Sequence, residues 1–195
     1  NNVFLTLLVS AIILIILGMG MPTPSVYVLG AALIAPAMMD VGVPLLGAHM
    51  FLIYYSALSA ITPPVGGAIF AAAAIAKANP FAIGMQACKL AFGGFVLPFF
   101  FVFNQGLLLQ GDIANIVMSI VAALIGVYAL SAGYEGYLFK GLAIWERILL
   151  VLAGVFIISP NLVISLVCLT VIVLIMLKNR FLQNKKHFGT ATLSN

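Results

Sequence analysis

The sequence predicts an all-α, polytopic membrane protein, and this prediction rests on its composition and on the character of its apolar segments. Of the 195 residues, 65% are hydrophobic and only 6% are charged, and the mean hydropathy is +1.28. Soluble domains carry about 25% charged residues, so a soluble fold is excluded. The long apolar segments lack the alternating pattern of membrane β-strands, so helices must satisfy the backbone inside lipid.

The first two apolar segments are too short to cross a bilayer comfortably. Residues 3–17 and 25–39 are each about 15 residues long, whereas a membrane core about 30 Å thick requires about 20 helical residues. Residues 18–24, between them, contain two glycines that permit unusual backbone shapes and two prolines that cannot donate a backbone hydrogen bond. We predict a re-entrant hairpin over residues 3–39, and a proline-kinked helix is the alternative.

A second interruption divides the next long apolar segment. Residues 45–77 would extend about 50 Å as a single helix, which is too long for one straight span. The sequence Ser-Ala-Ile-Thr-Pro-Pro-Val-Gly-Gly at residues 59–67 contains the break. Its two prolines remove the donors that the carbonyls of Ser59 and Ala60 would need in a continuous helix. We predict a discontinuous transmembrane helix.

The rest of the chain is predicted to add four further spans. One span covers residues 81–103, with a kink near Pro98, and completes a first region that ends at residue 109. Additional transmembrane helices occupy residues 110–178, in three plain hydrophobic segments at 113–131, 144–159 and 162–177. These segments contain no Gly-Pro break at mid-depth, so we expect them to serve as packing helices that carry no ion ligand. A basic tail, residues 179–195, follows.

The distribution of basic residues predicts the orientation of the chain. All eight Lys and Arg residues lie on the cytoplasmic side if the C-terminal tail does. The turns at Asp40 and Pro160 and the loop at 106–112, which contain no Lys or Arg, then lie outside. We therefore expect a multi-pass protein of a bacterial or archaeal inner membrane with a cytoplasmic C-terminus.

Two interrupted elements in one sequence are typical of the midplane ion sites of membrane carriers. Neither the hairpin tip nor the broken helix contains Asp or Glu, so neutral carbonyl and hydroxyl oxygens must hold the ion. We predict Na⁺ as the coupling ion, bound by Ser59, Ala60 and Thr62. The wider set of candidate residues for sodium and substrate binding is Gly18, Gly20, Thr23, Ser59, Ala60, Thr62, Pro63, Pro64 and Gly66. The alternative is that these small residues only aid tight helix packing.

The half-helix that begins near Ala68 directs its positive end toward the same region, which favours a carboxylate substrate. We expect no other cofactor and no catalytic residue. The four acidic residues all lie at predicted boundaries, and neither a His-Glu metal spacing nor a Gly-x-Ser-x-Gly sequence is present. An enzyme is therefore disfavoured. A passive channel remains an alternative, and His49 is interpreted either as a proton carrier or as an interfacial hydrogen-bonding residue.

These motifs resemble those of a known transporter family. The chain is similar, over about residues 1–109, to the second, C-terminal half of the large permease (DctM-like) subunit of TRAP transporters, the tripartite ATP-independent periplasmic carriers. The resemblance rests on Leu17, Gly18, Met19, Pro36, Gly42, His49 and the sequence Ser-Ala-Ile-Thr-Pro-Pro-Val-Gly at residues 59–66. The three additional spans resemble the fused permeases of the TAXI subgroup.

The resemblance implies one repeat of an elevator-type ion-transporter fold, sodium-coupled symport of organic acids, and substrate delivery by a periplasmic binding protein. It also implies as partners an N-terminal half, a small membrane subunit or its fused equivalent, and membrane lipid, but no nucleic acid. An ion-coupled carrier of a related family without a binding protein is the alternative. The tip sequence at residues 21–24, Met-Pro-Thr-Pro, departs from the acidic or hydroxyl-bearing stretch expected in many relatives.

The orientation can be tested at the C-terminus. Four of the eight basic residues lie between Lys178 and Lys186, so we expect the tail to stay in the cytoplasm. A cysteine introduced at Ser194 should not react with a membrane-impermeant thiol reagent in intact cells, but should react after permeabilisation. Labelling in intact cells would reverse the orientation of every span.

Overall fold

The computed structural model describes residues 2–139, 141–159 and 162–191, and side chains as far as Arg180. The turn expected at Pro160 and Asn161, Lys140 and the last four residues of the tail lie outside the described residues. The described residues form ten α-helices and two 3₁₀ turns, without a β-strand. The prediction of an all-α polytopic membrane protein is confirmed.

The helices belong to two compact units, Asn1–Ile116 and Val117–Asn195. The first unit contains α1 Val3–Leu17, α2 Thr23–Leu33, α3 Ala35–Asp40, α4 Leu45–Leu58, α5 Gly67–Ala76, α6 Pro80–Leu90 and α7 Phe92–Phe103, with 3₁₀ turns at Ser59–Ile61 and Gln105–Leu108. The other helices are α8 Ile113–Glu135, which begins before the boundary, α9 Ile144–Phe156 and α10 Leu162–Ala191.

The N-terminal segment folds as three helices. Asn2 caps α1 by accepting a hydrogen bond from the N–H of Leu5 at 3.3 Å, and α1 ends at Gly18. Gly20 adopts a φ of +82°, a conformation that favours glycine. The second predicted arm, residues 25–39, is not one continuous helix, because α2 and α3 are separated at Ile34, two residues before Pro36. The re-entrant depth of this segment stays a prediction.

Helix α4 is the central element of the first unit, and it contacts α1, α2, α3 and α7. Its side chains Phe51 and Leu52 are completely buried. The core around them includes the buried side chains of Leu7, Leu14, Val26, Met38, Ala48, Tyr55, Leu58 and Val102. Apolar burial in the first unit is therefore centred on α4.

The segment after the break turns twice. Helices α5 and α6 meet at a bend of 115°, where Lys77 adopts a left-handed conformation with φ 50°. The span predicted over residues 81–103 is not one continuous helix, since α6 ends at Leu90 and α7 begins at Phe92. Gly93 and Gly94 follow this break, and glycine costs about 1 kcal/mol relative to alanine in a helix. Pro98 lies inside α7, as expected.

The second unit contains the longest helices. Helix α8 and the Val163–Arg180 part of α10 are long and apolar enough to cross a membrane; α5 with α6 would add a third span if that bent pair crosses as one. Helix α9 has only 13 residues, about 20 Å in length, so it is shorter than the predicted segment 144–159. Helices α8 and α9 approach closely at glycines: a Cβ on Gly126 would lie 2.9 Å from the carbonyl oxygen of Gly154.

A hydrogen bond and several aromatic contacts join α4 to α7. The Tyr55 hydroxyl donates to the carbonyl of Phe95 at 2.7 Å, about one turn before Pro98. The ring of Phe99 packs edge-on against Phe51, with centroids 5.4 Å apart. In a low-dielectric interior this hydroxyl satisfies a backbone carbonyl and fixes the two helices side by side.

We expect Tyr55→Phe to lower the free energy of unfolding of the full-length protein by about 1 kcal/mol, because one buried hydrogen bond is lost. Tyr54→Phe is the matched control: its ring packs against Phe101, but its hydroxyl makes no hydrogen bond among the described residues. Equilibrium unfolding in mixed micelles would measure both. Equal stability of the two variants would show that the bond to Phe95 contributes nothing.

Candidate functional site

Three hydroxyl groups follow one another at the C-terminal end of α4. The side chains of Ser56, Ser59 and Thr62 donate to the carbonyls of Leu52, Ser56 and Leu58, respectively, each at 2.7 Å. Ser56 and Ser59 are buried and Thr62 is half-buried. The spacing of three residues places the hydroxyls along one side of the chain as it leaves the helix.

The double proline changes which carbonyls at this end have donors. Leu58 accepts from the Thr62 hydroxyl, Ser59 accepts from the Thr62 N–H at 3.3 Å, and Ile61 accepts from the thiol of Cys88 at 3.6 Å. The prediction that the Ser59 carbonyl lacks a donor is therefore wrong, because the 3₁₀ turn supplies one. The Ala60 carbonyl has no donor among the described residues.

The remaining oxygens can act as neutral ligands. A hydroxyl that donates its proton to a carbonyl still has two lone pairs, so the oxygens of Ser59 and Thr62 can contact a cation while they hold the backbone. The Ala60 carbonyl is a third such oxygen. Within the described residues no group of three or more His, Cys, Asp or Glu side chains could hold a metal ion. This arrangement suits a monovalent cation bound by dipoles.

Gly18, the first glycine of the predicted hairpin tip at residues 18–24, packs directly against the break at residues 59–67. A Cβ added to Gly18 would overlap the Oγ and Cβ atoms of Ser59, so only glycine allows this approach. Gly20 has open space around its Cβ position. No hydrogen bond among the described residues joins Thr23, the first residue of α2, to the break. The tip therefore contacts the break through Gly18, which packs against Ser59.

Gly66 and the two prolines complete the break. A Cβ on Gly66 would overlap the carbonyl oxygen of Ala60, and α5 begins at the next residue. Pro63 and Pro64 are joined by a cis peptide bond. The ring of Pro63 packs on α6, where a Cβ on Gly84 would lie 2.7 Å from its Cγ. Of the predicted site residues, those of the break therefore lie together.

Sequence reasoning missed three residues that support the break. Ser56 shares the three-residue spacing of Ser59 and Thr62, and that spacing could have identified it. Cys88 donates to the carbonyl of Ile61, a contact between residues 27 positions apart in the chain. Gly84 is recognisable only from the tertiary contact with Pro63.

His49 lies on α4, away from the break. Its Nδ1 atom is 3.0 Å from the hydroxyl of Tyr27, and the two rings meet edge to face. This hydrogen bond joins α4 to α2. The structure therefore gives His49 a hydrogen-bonding partner on the second predicted arm of the hairpin.

Gly66 and Gly67 provide a test of the close approach at the break. Gly66→Ala should lower the free energy of unfolding by about 1–3 kcal/mol, because the new methyl group would overlap a backbone oxygen that cannot rotate away. Gly67→Ala is the matched control, since nothing lies within 4 Å of its Cβ position. Thermal unfolding of the full-length protein in detergent would compare them. An unchanged midpoint for both variants would contradict the described packing of Gly66.

One comparison with known proteins identifies the family of this chain. Residues 1–116 match the family model described as "Tripartite ATP-independent periplasmic transporter, DctM component". No curated protein and no solved structure shows significant similarity to the chain. The matched region covers more than half of the chain, including the hairpin segment, the break and α7. The chain therefore belongs to the DctM family of membrane components of tripartite ATP-independent periplasmic transporters.

Proposed function

We propose that this chain is the second half of a sodium-coupled TRAP permease, and that Na⁺ binds at the end of α4. The observation that carries the proposal is the contact between Gly18 and Ser59. It brings the hairpin segment against a break whose hydroxyls and Ala60 carbonyl are neutral oxygen ligands. Broken helices in membrane carriers provide such oxygens for coupling ions.

The absence of acidic side chains from the candidate site favours Na⁺ over H⁺ as the coupling ion. Proton coupling requires a group that takes up and releases a proton within the transport cycle. Ser59, Ala60 and Thr62 offer hydroxyl and carbonyl oxygens, which do not titrate near neutral pH. These groups can replace part of the hydration shell of a cation without a change in protonation.

The start of α5 supports an anionic substrate. This helix begins at Gly67, directly after the break, so its N-terminal N–H groups and the positive end of its dipole lie beside the proposed ion site. A carboxylate placed there would be attracted both by the helix end and by a bound Na⁺. We therefore propose organic acids as substrates, delivered by a periplasmic binding protein and moved by an elevator mechanism, as the family resemblance implies.

The three additional helices favour a fused permease of the TAXI type. Neither of the two span candidates after residue 110 contains a break resembling that at 59–67. We therefore assign ion coupling to residues 1–109 and a scaffold or partner-docking role to the later helices. Pro63 and Pro64 shape the site in this proposal and are not ligands through their side chains.

Thr62 provides the sharpest test, because it is half-buried and lies two residues after Ala60, whose carbonyl has no donor among the described residues. Thr62→Ala should raise the sodium concentration for half-maximal uptake about tenfold or more, since a lost charge-assisted contact is worth about 1.5–3 kcal/mol. Thr62→Ser retains the oxygen and should remain close to the parent. The assay is sodium-dependent uptake by the complete permease in proteoliposomes with its binding protein, at matched reconstitution levels.

Ser56→Ala controls for the loss of a backbone-capping hydroxyl. The Ser56 hydroxyl donates to the carbonyl of Leu52 at 2.7 Å, which is the type of bond that the Thr62 hydroxyl makes. Ser56 lies six residues before Thr62 in the chain. It should alter stability without altering sodium dependence. If Thr62→Ala keeps the sodium dependence of the parent, the break is a structural kink and the proposed ion site is wrong.

A further inference from the structure

Arg147 on α9 reaches the C-terminal end of α8 and uses only part of its hydrogen-bonding capacity there. Its Nε donates to the carbonyl of Gly133 at 3.1 Å, and its Nη2 donates to the carbonyl of Tyr134 at 2.6 Å. A guanidinium group has five N–H donors, so three remain for another acceptor. The side chain is half-buried, which holds the group in a defined position.

The nearest acidic side chain in sequence does not neutralise this cation. Glu146 is buried and forms an ion pair with Lys178 at 2.7 Å, while its other oxygen accepts from the N–H of Ala143 at 2.9 Å. Among the residues whose side chains are described, no carboxylate lies within 4 Å of Arg147. Among the described side chains, none therefore compensates the positive charge of this guanidinium as an acidic partner.

An apolar groove with a volume of about 380 Å³ begins beside this guanidinium. Its length follows one face of α9, and its other lining residues are Gly133, Tyr134, Ile144, Ile148, Val151 and Leu152. The volume lies in the range of about 300–1,000 Å³ typical of small-molecule sites. A ligand that fits the groove must therefore combine an anionic group with a hydrocarbon chain.

We propose that this groove binds one anionic phospholipid, with its phosphate on Arg147 and one acyl chain along Ile148, Val151 and Leu152. Guanidinium groups bind phosphate oxygens through paired N–H donors, and basic pockets between transmembrane helices bind acidic lipid head groups. Tyr134 is exposed at the C-terminal end of α8, and Trp145 is exposed at the N-terminal end of α9. Aromatic side chains in such positions favour the head-group region. This site lies outside the region to which we assign ion coupling.

The experiment uses the full-length protein, delipidated in detergent and titrated with phosphatidylglycerol or phosphatidylcholine while bound lipid is counted by native mass spectrometry. We expect one phosphatidylglycerol to bind at least tenfold more tightly than phosphatidylcholine. Arg147→Gln should remove this preference. Arg180→Gln is the matched control, because it removes one exposed positive charge that does not line the groove.

A second pair of variants tests the acyl-chain position without changing charge. Leu152→Trp should fill the groove and weaken phosphatidylglycerol binding about tenfold, whereas Leu149→Trp, exposed on α9 but outside the groove, should not. Inorganic phosphate at the same concentration should fail to displace the lipid. The proposal is overturned if Arg147→Gln and Leu152→Trp bind the lipid like their controls, or if free phosphate competes equally well.

Discussion

The first unit depends on how the backbone is satisfied where α4 ends. Pro63 and Pro64 remove two N–H donors that a continuous helix would supply, and an unpaired carbonyl costs several kcal/mol in hydrocarbon. The Ser59 carbonyl accepts instead from the Thr62 N–H, and the Thr62 hydroxyl and the Cys88 thiol supply donors to the carbonyls of Leu58 and Ile61. Few oxygens at this helix end remain available to a ligand, and the interruption of the backbone hydrogen bonds fixes where they lie.

Glycine is required where other parts of the chain approach this end. Gly18 lets the hairpin segment reach Ser59, Gly66 lets the chain return past the Ala60 carbonyl, and Gly84 makes room for the Pro63 ring. Three separate segments thus converge on one helix end without large side chains between them. In membranes small residues of this kind allow backbones to pack closely, since no hydrophobic force drives helices together in lipid. Burial of Phe51 and Leu52 on α4 supplies the rigid support behind this site.

The second unit follows a different design. Helices α8 and α9 pack through Gly126 and Gly154, and α10 contacts α9, to which the ion pair of Glu146 with Lys178 joins it. The charged side chains of Glu146, Arg147 and Lys178 meet at the N-terminal end of α9, where Arg147 joins α9 to α8. A cluster of charged side chains at a helix end suits a scaffold positioned by the membrane interface.

The sequence by itself determined the membrane class, the all-α fold and the positions of the interruptions near residues 18–22 and 59–66. Those features follow from hydropathy and from the local backbone effects of proline and glycine, which act within a few residues. It also led to the prediction of Ser59 and Thr62 as ion ligands, because hydroxyl oxygens beside a double proline are visible in the sequence. The separation of α6 from α7 at Ala91 was not predicted, since a helix break without proline depends on packing.

Only the tertiary structure decided which of the candidate residues meet. Gly18 contacts Ser59 whereas Gly20 faces open space, although both glycines look equivalent in the sequence. The donor to Ser59, the thiol bond from Cys88 and, among the described side chains, the lack of an acidic partner for Arg147 likewise depend on how the chain turns and on contacts between distant residues. Such contacts are set by the shapes of whole helices and by which faces pack together, and no local pattern of residues encodes them.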